Sequence, residues 1–197
     1  MSSDVTGISG VILAGGQGRR MGSVDKGLRE LRGKAMVAWV LERFAPQVDE
    51  VIINANQNLA IYAQFGHRVV PDEIGGFAGP LAGLQRGLSE ARHALVATSP
   101  CDTPFLPADL VARLHAALQA NAAQLAVART GDQPHPVFCV CKRDVLPHLT
   151  QFLNSGGRKI DAWYATLKVV EVAFDDQPDA FSNINTAEEL RAFETAP

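Results

Sequence analysis

Ile8-Ser9-Gly10-Val11-Ile12-Leu13-Ala14-Gly15-Gly16-Gln17-Gly18-Arg19-Arg20-Met21-Gly22 begins apolar and breaks into glycines and arginines, with Asp25-Lys26-Gly27 shortly after. A short apolar run that ends in glycine reads as a buried strand. Glycines in the loop after it let backbone N–H groups approach phosphate oxygens, and the bases add charge-assisted bonds. Two familiar phosphate loops fail on spacing. Walker A needs Gly-Lys-Ser/Thr, which occurs nowhere in the chain. The dinucleotide fingerprint fits Gly16 and Gly18 but then meets Met21, and the second strand ends in Asn54 where a ribose-binding acid would stand. An ordinary glycine turn has no need of two arginines and a lysine. A mononucleotide triphosphate is the expected guest.

Outward from this loop, strands and helices alternate. Strands are expected over 8–14, 51–54, 69–70, 94–99 and 125–128. Helices are expected over 34–45, where Val37, Val40, Leu41 and Phe44 share a face, from Gly79-Pro80 through Leu88, and over 107–120. The pattern then changes. Residues 135–141 alternate, with Phe138 and Val140 on one face and Val137, Cys139 and Cys141 on the other. The turn before them is too short for a crossover helix, so this strand should pair antiparallel with 125–128. A helix over 144–153, a strand over 167–174 and a closing helix over 186–193, capped by Thr186 with Glu189, complete the expectation. The result is an α/β fold of three layers around a mostly parallel, mixed sheet.

The chain has 197 residues, a hydrophobic fraction of 47% and a net charge of −3, as expected of a single globular domain and not of a general polyanion binder. Charge is uneven. Residues 1–44 carry seven bases against four acids, and residues 160–197 two against eight. A small basic zone in an acidic protein suits a compact anionic ligand. Cys101, Cys139 and Cys141 form neither a C-x-x-C pair nor an even set, so reduced thiols in a cytoplasmic protein are expected. No apolar run approaches the ~18–20 residues of a membrane span, and the first residues lack the pattern of a signal peptide.

Ligands of open α/β sheets bind beyond the carboxyl ends of the strands. Polar groups gather there: Asn54-Ala55-Asn56 after strand two, Pro71-Asp72 after strand three, and Pro100-Cys101-Asp102-Thr103-Pro104 after strand four. Asp102 is the metal candidate, because a nucleotide-bound Mg²⁺ is usually held by one or two carboxylates. Each of these residues also has a plain reading as a turn or cap. No Gly-x-Ser-x-Gly or His-Glu-x-x-His motif supplies a nucleophile or base.

Leu13-Ala14-Gly15-Gly16, Arg19-Arg20-Met21-Gly22 and Asp25-Lys26-Gly27 together resemble the signature of nucleotidyltransferases, with their Rossmann-like fold. Gly79-Pro80-Leu81-Ala82-Gly83, Cys101 to Pro107, His135-Pro136-Val137-Phe138 and Phe181-Ser182-Asn183-Ile184-Asn185-Thr186 narrow the resemblance to the molybdenum cofactor guanylyltransferases. Ser23, Ala35 and Asp132-Gln133-Pro134, the last in the loop before His135, depart from that pattern.

The resemblance implies transfer of GMP from GTP to molybdopterin, with release of pyrophosphate. It implies that Leu13, Ala14, Gly15 and Gly16 give backbone contacts to the nucleotide. Arg19 and Lys26 would neutralise the triphosphate, with Arg20 a weaker candidate. Asn54 and Asp72 would meet the nucleoside, and Asp102 would hold Mg²⁺. Arg158, Lys159, Asn183 and Asn185 would face the pterin substrate, although Gly156-Gly157 also reads as a helix stop with two solvated bases after it. A single domain is expected, with nucleotide binding in about 1–130 and pterin binding in about 131–197. Partners would be the two substrates, with transient contacts to molybdopterin-supplying proteins and apo-molybdoenzymes, and no nucleic acid or membrane. Competing readings are a cytidylyltransferase for the same pterin, a sugar-phosphate nucleotidyltransferase, and a non-catalytic cofactor carrier.

Overall fold

A computed structural model describes residues 7–16, 25–74 and 79–184. Seven strands form one sheet. In chain order they are β1 (Ile8–Leu13), β4 (Glu50–Asn54), β5 (Arg68–Val70), β6 (Leu95–Pro100), β7 (Leu125–Thr130), β8 (Gln133–Lys142) and β9 (Val169–Ala173). Their spatial order is β5-β4-β1-β6-β8-β7-β9, and β8 alone runs against the rest. The mixed, mostly parallel sheet is as expected, including the antiparallel pairing of β7 with β8.

Two apolar layers cover the sheet because side chains alternate along each strand. On one face Ile12, Ile53, Ala97, Ala126, Phe138 and Val140 meet α1 (Met36–Phe44), α2 (Leu59–Ala63) and α4 (Leu110–Ala120). On the other, Val11, Val96, Val127, Cys139 and Cys141 meet α3 (Pro80–Glu90), α5 (Leu146–Asn154) and α6 (Ile160–Tyr164). All three cysteines are free and buried.

Four local expectations change. The first helix starts at Met36, not residue 34, because Lys34–Ala35 (β3) pairs with Glu30–Leu31 (β2) across a turn. Arg32 and Gly33 both take positive φ there, 53° and 73°, the backbone of a tight hairpin. The third expected helix starts at Leu110, after a turn at Pro107. Val137 packs with Phe138 and Val140 rather than with the cysteines. The cause is a bulge: Val127 pairs with Cys139 but the next residue, Ala128, pairs with His135, so the alternation of β8 breaks between them. Helices α2 and α6, of five residues each, were not foreseen, since neither is long enough to show a period. The closing helix expected over 186–193 lies outside the described residues.

Gly87 shows how tightly α3 lies on the sheet, since a Cβ there would stand 2.6 Å from Val11 Cγ2. Alanine at an open helical site gains about 1 kcal/mol over glycine. Overpacking a core costs about 1–3 kcal/mol. Gly87→Ala should therefore destabilise the protein despite its better helix propensity, read as a lower denaturant midpoint at unchanged slope.

Candidate functional site

Parallel pairing brings the carboxyl ends of β5, β4, β1 and β6 side by side. Leu13 lies opposite Asn54 on one side and Pro100 on the other. The ladder continues one residue further, from Ala14 N–H to Asn54 O (2.8 Å), Cys101 N–H to Leu13 O (3.2 Å) and Ala55 N–H to Val70 O (3.1 Å). Leu13, Ala14, Gly15, Asn54, Asp72 and Asp102 thus share one rim.

At one end of that rim two asparagines hold an aspartate. Asn54, buried, donates from Nδ2 to Asp72 Oδ1 at 2.8 Å and to Val70 O at 3.3 Å. Asn56 donates from Nδ2 to Asp72 Oδ2 at 2.8 Å and to Gly15 O at 3.2 Å, and its Oδ1 accepts the Asp72 N–H at 2.9 Å. Each carboxylate oxygen of Asp72 therefore accepts one amide and keeps lone-pair capacity for a ligand. Gly83 permits this arrangement: a Cβ on it would lie 2.3 Å from Asn54 Oδ1 and 2.8 Å from a Leu13 methyl.

A second group surrounds the end of β6. Lys26 Nζ lies 3.3 Å from Asp102 Oδ2, with the Asp102 side chain 11% exposed and that of Lys26 31%. Asp25, just before, accepts the Tyr62 hydroxyl at 2.6 Å and the Gly27 N–H at 3.2 Å on Oδ1, and Asn58 Nδ2 at 3.1 Å on Oδ2. Burial, with neighbouring acidic groups adding to it, pushes the Cys101 thiol and the Tyr62 phenol upward, so both stay protonated. The C-terminal segment closes this side. Thr103 Oγ1 donates to Asn183 Oδ1, and Ile184 N–H donates to Asp102 O at 3.0 Å. Asn183 thus stands beside the Asp102 loop.

Other expected residues sit apart. Arg158 donates to Leu153 O and Gly157 O, both at 2.7 Å, tying it to the end of α5, and Lys159 is exposed at the start of α6. Among the described contacts neither reaches Asp72 or Asp102. His135 is stacked on Phe181 at 4.5 Å between ring centres, and its Nε2 bonds the Thr130 hydroxyl at 2.8 Å. Burial lowers its pKa, so it sits as a neutral ring in an aromatic cluster with Phe138 and Phe181. Gly16 is exposed, with open space where its Cβ would be. Arg19, Arg20 and Asn185 lie outside the described residues.

Asn56, Asp25, Tyr62 and Thr103 are the residues that sequence reasoning did not assign. Asn56 carried a usable signal, two positions after Asn54 at a strand end and so on the same side. Tyr62 carried none. Among the described residues no three metal-binding side chains come together. A buried carboxylate at a strand end, as Asp102 is, suits a hard cation that takes its remaining ligands from a bound anion and water.

The sequence profile of the MobA-like NTP transferase domain matches residues 10–169. The molybdenum cofactor guanylyltransferase of Shewanella sp. (strain MR-4) is 51% identical over 182 residues, covering 92% of each chain. That of Cupriavidus pinatubonensis is 50% identical over 192 residues, 95% of this chain and 96% of that one. In fold, the crystal structure of molybdopterin-guanine dinucleotide biosynthesis protein A from Archaeoglobus fulgidus is similar at a TM-score of 0.78 and 23% identity, over 94% of this chain and 96% of that one.

Asn56→Ala removes the amide that joins the glycine loop to Asp72. Leaving partly buried polar groups unpaired costs about 1–3 kcal/mol. The variant should fold, melt several degrees lower, and lose amide-exchange protection at Asp72 ahead of the rest of the sheet. Unchanged protection at Asp72 would show that Asn56 does not hold it.

Proposed function

This chain belongs to the MobA-like NTP transferase family, and from that membership we propose that it transfers GMP from GTP to molybdopterin, forming molybdopterin guanine dinucleotide and releasing pyrophosphate. It is a nucleotidyltransferase, with relatives of that activity at about half identity over almost its whole length. The observation that carries the reading is the Lys26–Asp102 pair, set on the same rim as the glycine loop and the Asn54–Asp72 group.

The reaction joins two polyanions. The terminal phosphate of molybdopterin attacks the α-phosphorus of GTP, a new P–O bond forms, and the bond to the bridging oxygen breaks as pyrophosphate leaves. A phosphate monoester has a second pKa of about 6, so the nucleophile arrives deprotonated and needs no strong general base. Positioning and charge neutralisation then carry the catalysis. Backbone groups of Leu13, Ala14, Gly15 and Gly16 cradle the nucleotide. Asn54 and the clamped Asp72 meet the nucleoside. Lys26 and Arg19 oppose the triphosphate charge. Asp102 would hold a divalent cation, which we assign as Mg²⁺; when bound, it withdraws charge from the α-phosphoryl group.

The pterin side is assigned to the part of the chain after about residue 130, with nucleotide binding before it. Asn183 stands on the Asp102 loop, and Asn185 follows in sequence. Helix α5 follows the end of β8, where Lys142 pairs with Leu95, and Arg158 and Lys159 come after it. Arg158 or Lys159 would meet the pterin phosphate; Arg158 also bonds the Leu153 and Gly157 carbonyls, and Lys159 beside it is exposed. Contacts with molybdopterin-supplying proteins and apo-molybdoenzymes belong to the same reading, as does a cytoplasmic setting for three reduced cysteines. No described helix is long and apolar enough to cross a membrane.

Pyrophosphate release with molybdopterin, Mg²⁺ and either GTP or CTP tests the assignment: turnover with GTP is expected. Preference for CTP would make the chain a cytidylyltransferase, and no release with either would make it a carrier. Asp102→Asn should keep the fold and lose about 10²–10³ in rate, the usual cost of one well-placed electrostatic stabiliser. Near-normal turnover would remove Asp102 from the metal site. Lys159→Ala should weaken molybdopterin about tenfold, or roughly 1.4 kcal/mol, with GTP affinity unchanged. The single variant is the cleaner probe, since losing Arg158 also unties α5. Unchanged molybdopterin affinity would return the 156–159 turn to a plain helix stop.

A further inference from the structure

The turn that carries Lys26 is held from below by a residue of the hydrophobic core. Tyr62 is fully buried, its ring packed among the side chains of the α1 and α4 face, and its hydroxyl is aimed at Asp25 Oδ1, 2.6 Å away. Asp25 in turn caps the short helical turn Lys26–Leu28, accepting the Gly27 N–H on the same oxygen while its backbone oxygen accepts from Leu28 N–H at 3.2 Å. Asn58, at the start of the helix that bears Tyr62, holds the other oxygen. The turn is wedged in place. A Cβ on Gly27 would lie 2.5 Å from the Tyr62 hydroxyl oxygen and 3.1 Å from both Cβ and Sγ of Cys101. Gly27 therefore sits between the tyrosine and the residue immediately before Asp102. A turn so enclosed has little freedom to shift, and Lys26 leaves it toward Asp102 Oδ2 at 3.3 Å.

We propose that Tyr62 is a positioning residue for GTP: its hydroxyl fixes Asp25, and through Asp25 sets where the Lys26 ammonium meets the triphosphate. The proposal rests on the assignment of Lys26 to phosphate. Removing the hydroxyl leaves the ring, and hence the core, in place. It takes from Asp25 a short bond to a charged acceptor, the kind that contributes most among hydrogen bonds. Asp25 keeps Gly27 N–H and the exposed Asn58 amide, so the turn should loosen without unfolding.

A core residue with no role toward GTP would, when truncated, affect GTP and guanosine alike or neither. The experiment titrates the full chain with GTP and with guanosine, for the wild type, Tyr62→Phe, Asp25→Ala, Asp25→Asn and Lys26→Ala, and follows folding by thermal melts. Tyr62→Phe is expected to weaken GTP about tenfold with guanosine nearly unchanged. Asp25→Ala, which also gives up the Gly27 and Asn58 bonds, should weaken GTP at least as much, and the double variant should lose no more than Asp25→Ala alone, because the hydroxyl acts through Asp25. Asp25→Asn, which keeps an acceptor oxygen for the hydroxyl, should retain most of the affinity. If Lys26→Ala removes the preference for GTP over guanosine while a folded Tyr62→Phe keeps it, the proposal is overturned. Should Tyr62→Phe fail to fold, Asp25→Ala decides: full GTP affinity there also overturns it. If Lys26→Ala leaves the preference intact, the proposal falls with the assignment of Lys26, an outcome distinct from a failure at Tyr62.

Discussion

The parallel register of β1 between β4 and β6 is the constraint on which the rest of the molecule depends. Leu13 stands opposite Asn54 and Pro100 at once, so three loops leave the sheet at one level. Had either neighbour slipped by one residue, every side chain on it would have changed face. Asn54 would then point into an apolar layer, and Asp102 would leave the rim. Register is held by two buried faces, since Val11 and Ile12 are each fully enclosed on opposite sides. The hydrophobic layers thereby decide where the polar groups of the site stand, although they touch no ligand.

Within that frame the site is a set of buried and half-buried polar groups that already bond one another. Asp72 is held by two amides, Asp25 by a hydroxyl, an amide and a backbone N–H, and Asp102 faces Lys26. Groups already oriented lose little further freedom on binding, and this favours electrostatic stabilisation of a charged transition state. Close packing makes the arrangement possible: Gly27 and Gly83 place backbone where any side chain would collide with Tyr62 or Asn54. The glycines at 27 and 83 therefore reflect close contact.

The C-terminal half contributes by closure. Antiparallel β8 is inserted between β6 and β7, and its first residues bring His135 against Phe181. That stack anchors the segment that lays Asn183 on Thr103 and Ile184 on Asp102 O. A neutral histidine suits the place, because a charged ring would lose solvation against Phe138 and Phe181.

The amino-acid sequence by itself determined the alternation of strands and helices, the sandwich of a mixed sheet between two helical layers, and the glycine loop at the end of β1. These follow from short-range regularities: apolar periods of two and of 3.6, and glycine beside positive charge. It also placed Asn54, Asp72 and Asp102 at strand ends, since ligands of such sheets bind there. Only the tertiary structure decided what joins them. The bulge at Ala128 that turned Val137 to the other face, the hairpin that shortened α1, and the insertion of β8 between β6 and β7 each depend on pairing between distant segments. Arg158 illustrates the same limit. Its spacing after a Gly-Gly stop fitted a substrate contact and a helix end equally, and only the structure shows that its guanidinium bonds the Leu153 and Gly157 carbonyls. Tyr62 and Asn56 entered the site because the core brought them within hydrogen-bond reach of carboxylates 37 and 16 residues away. Such contacts leave no period in the chain, as they are set by how whole layers pack rather than by the order of neighbouring residues.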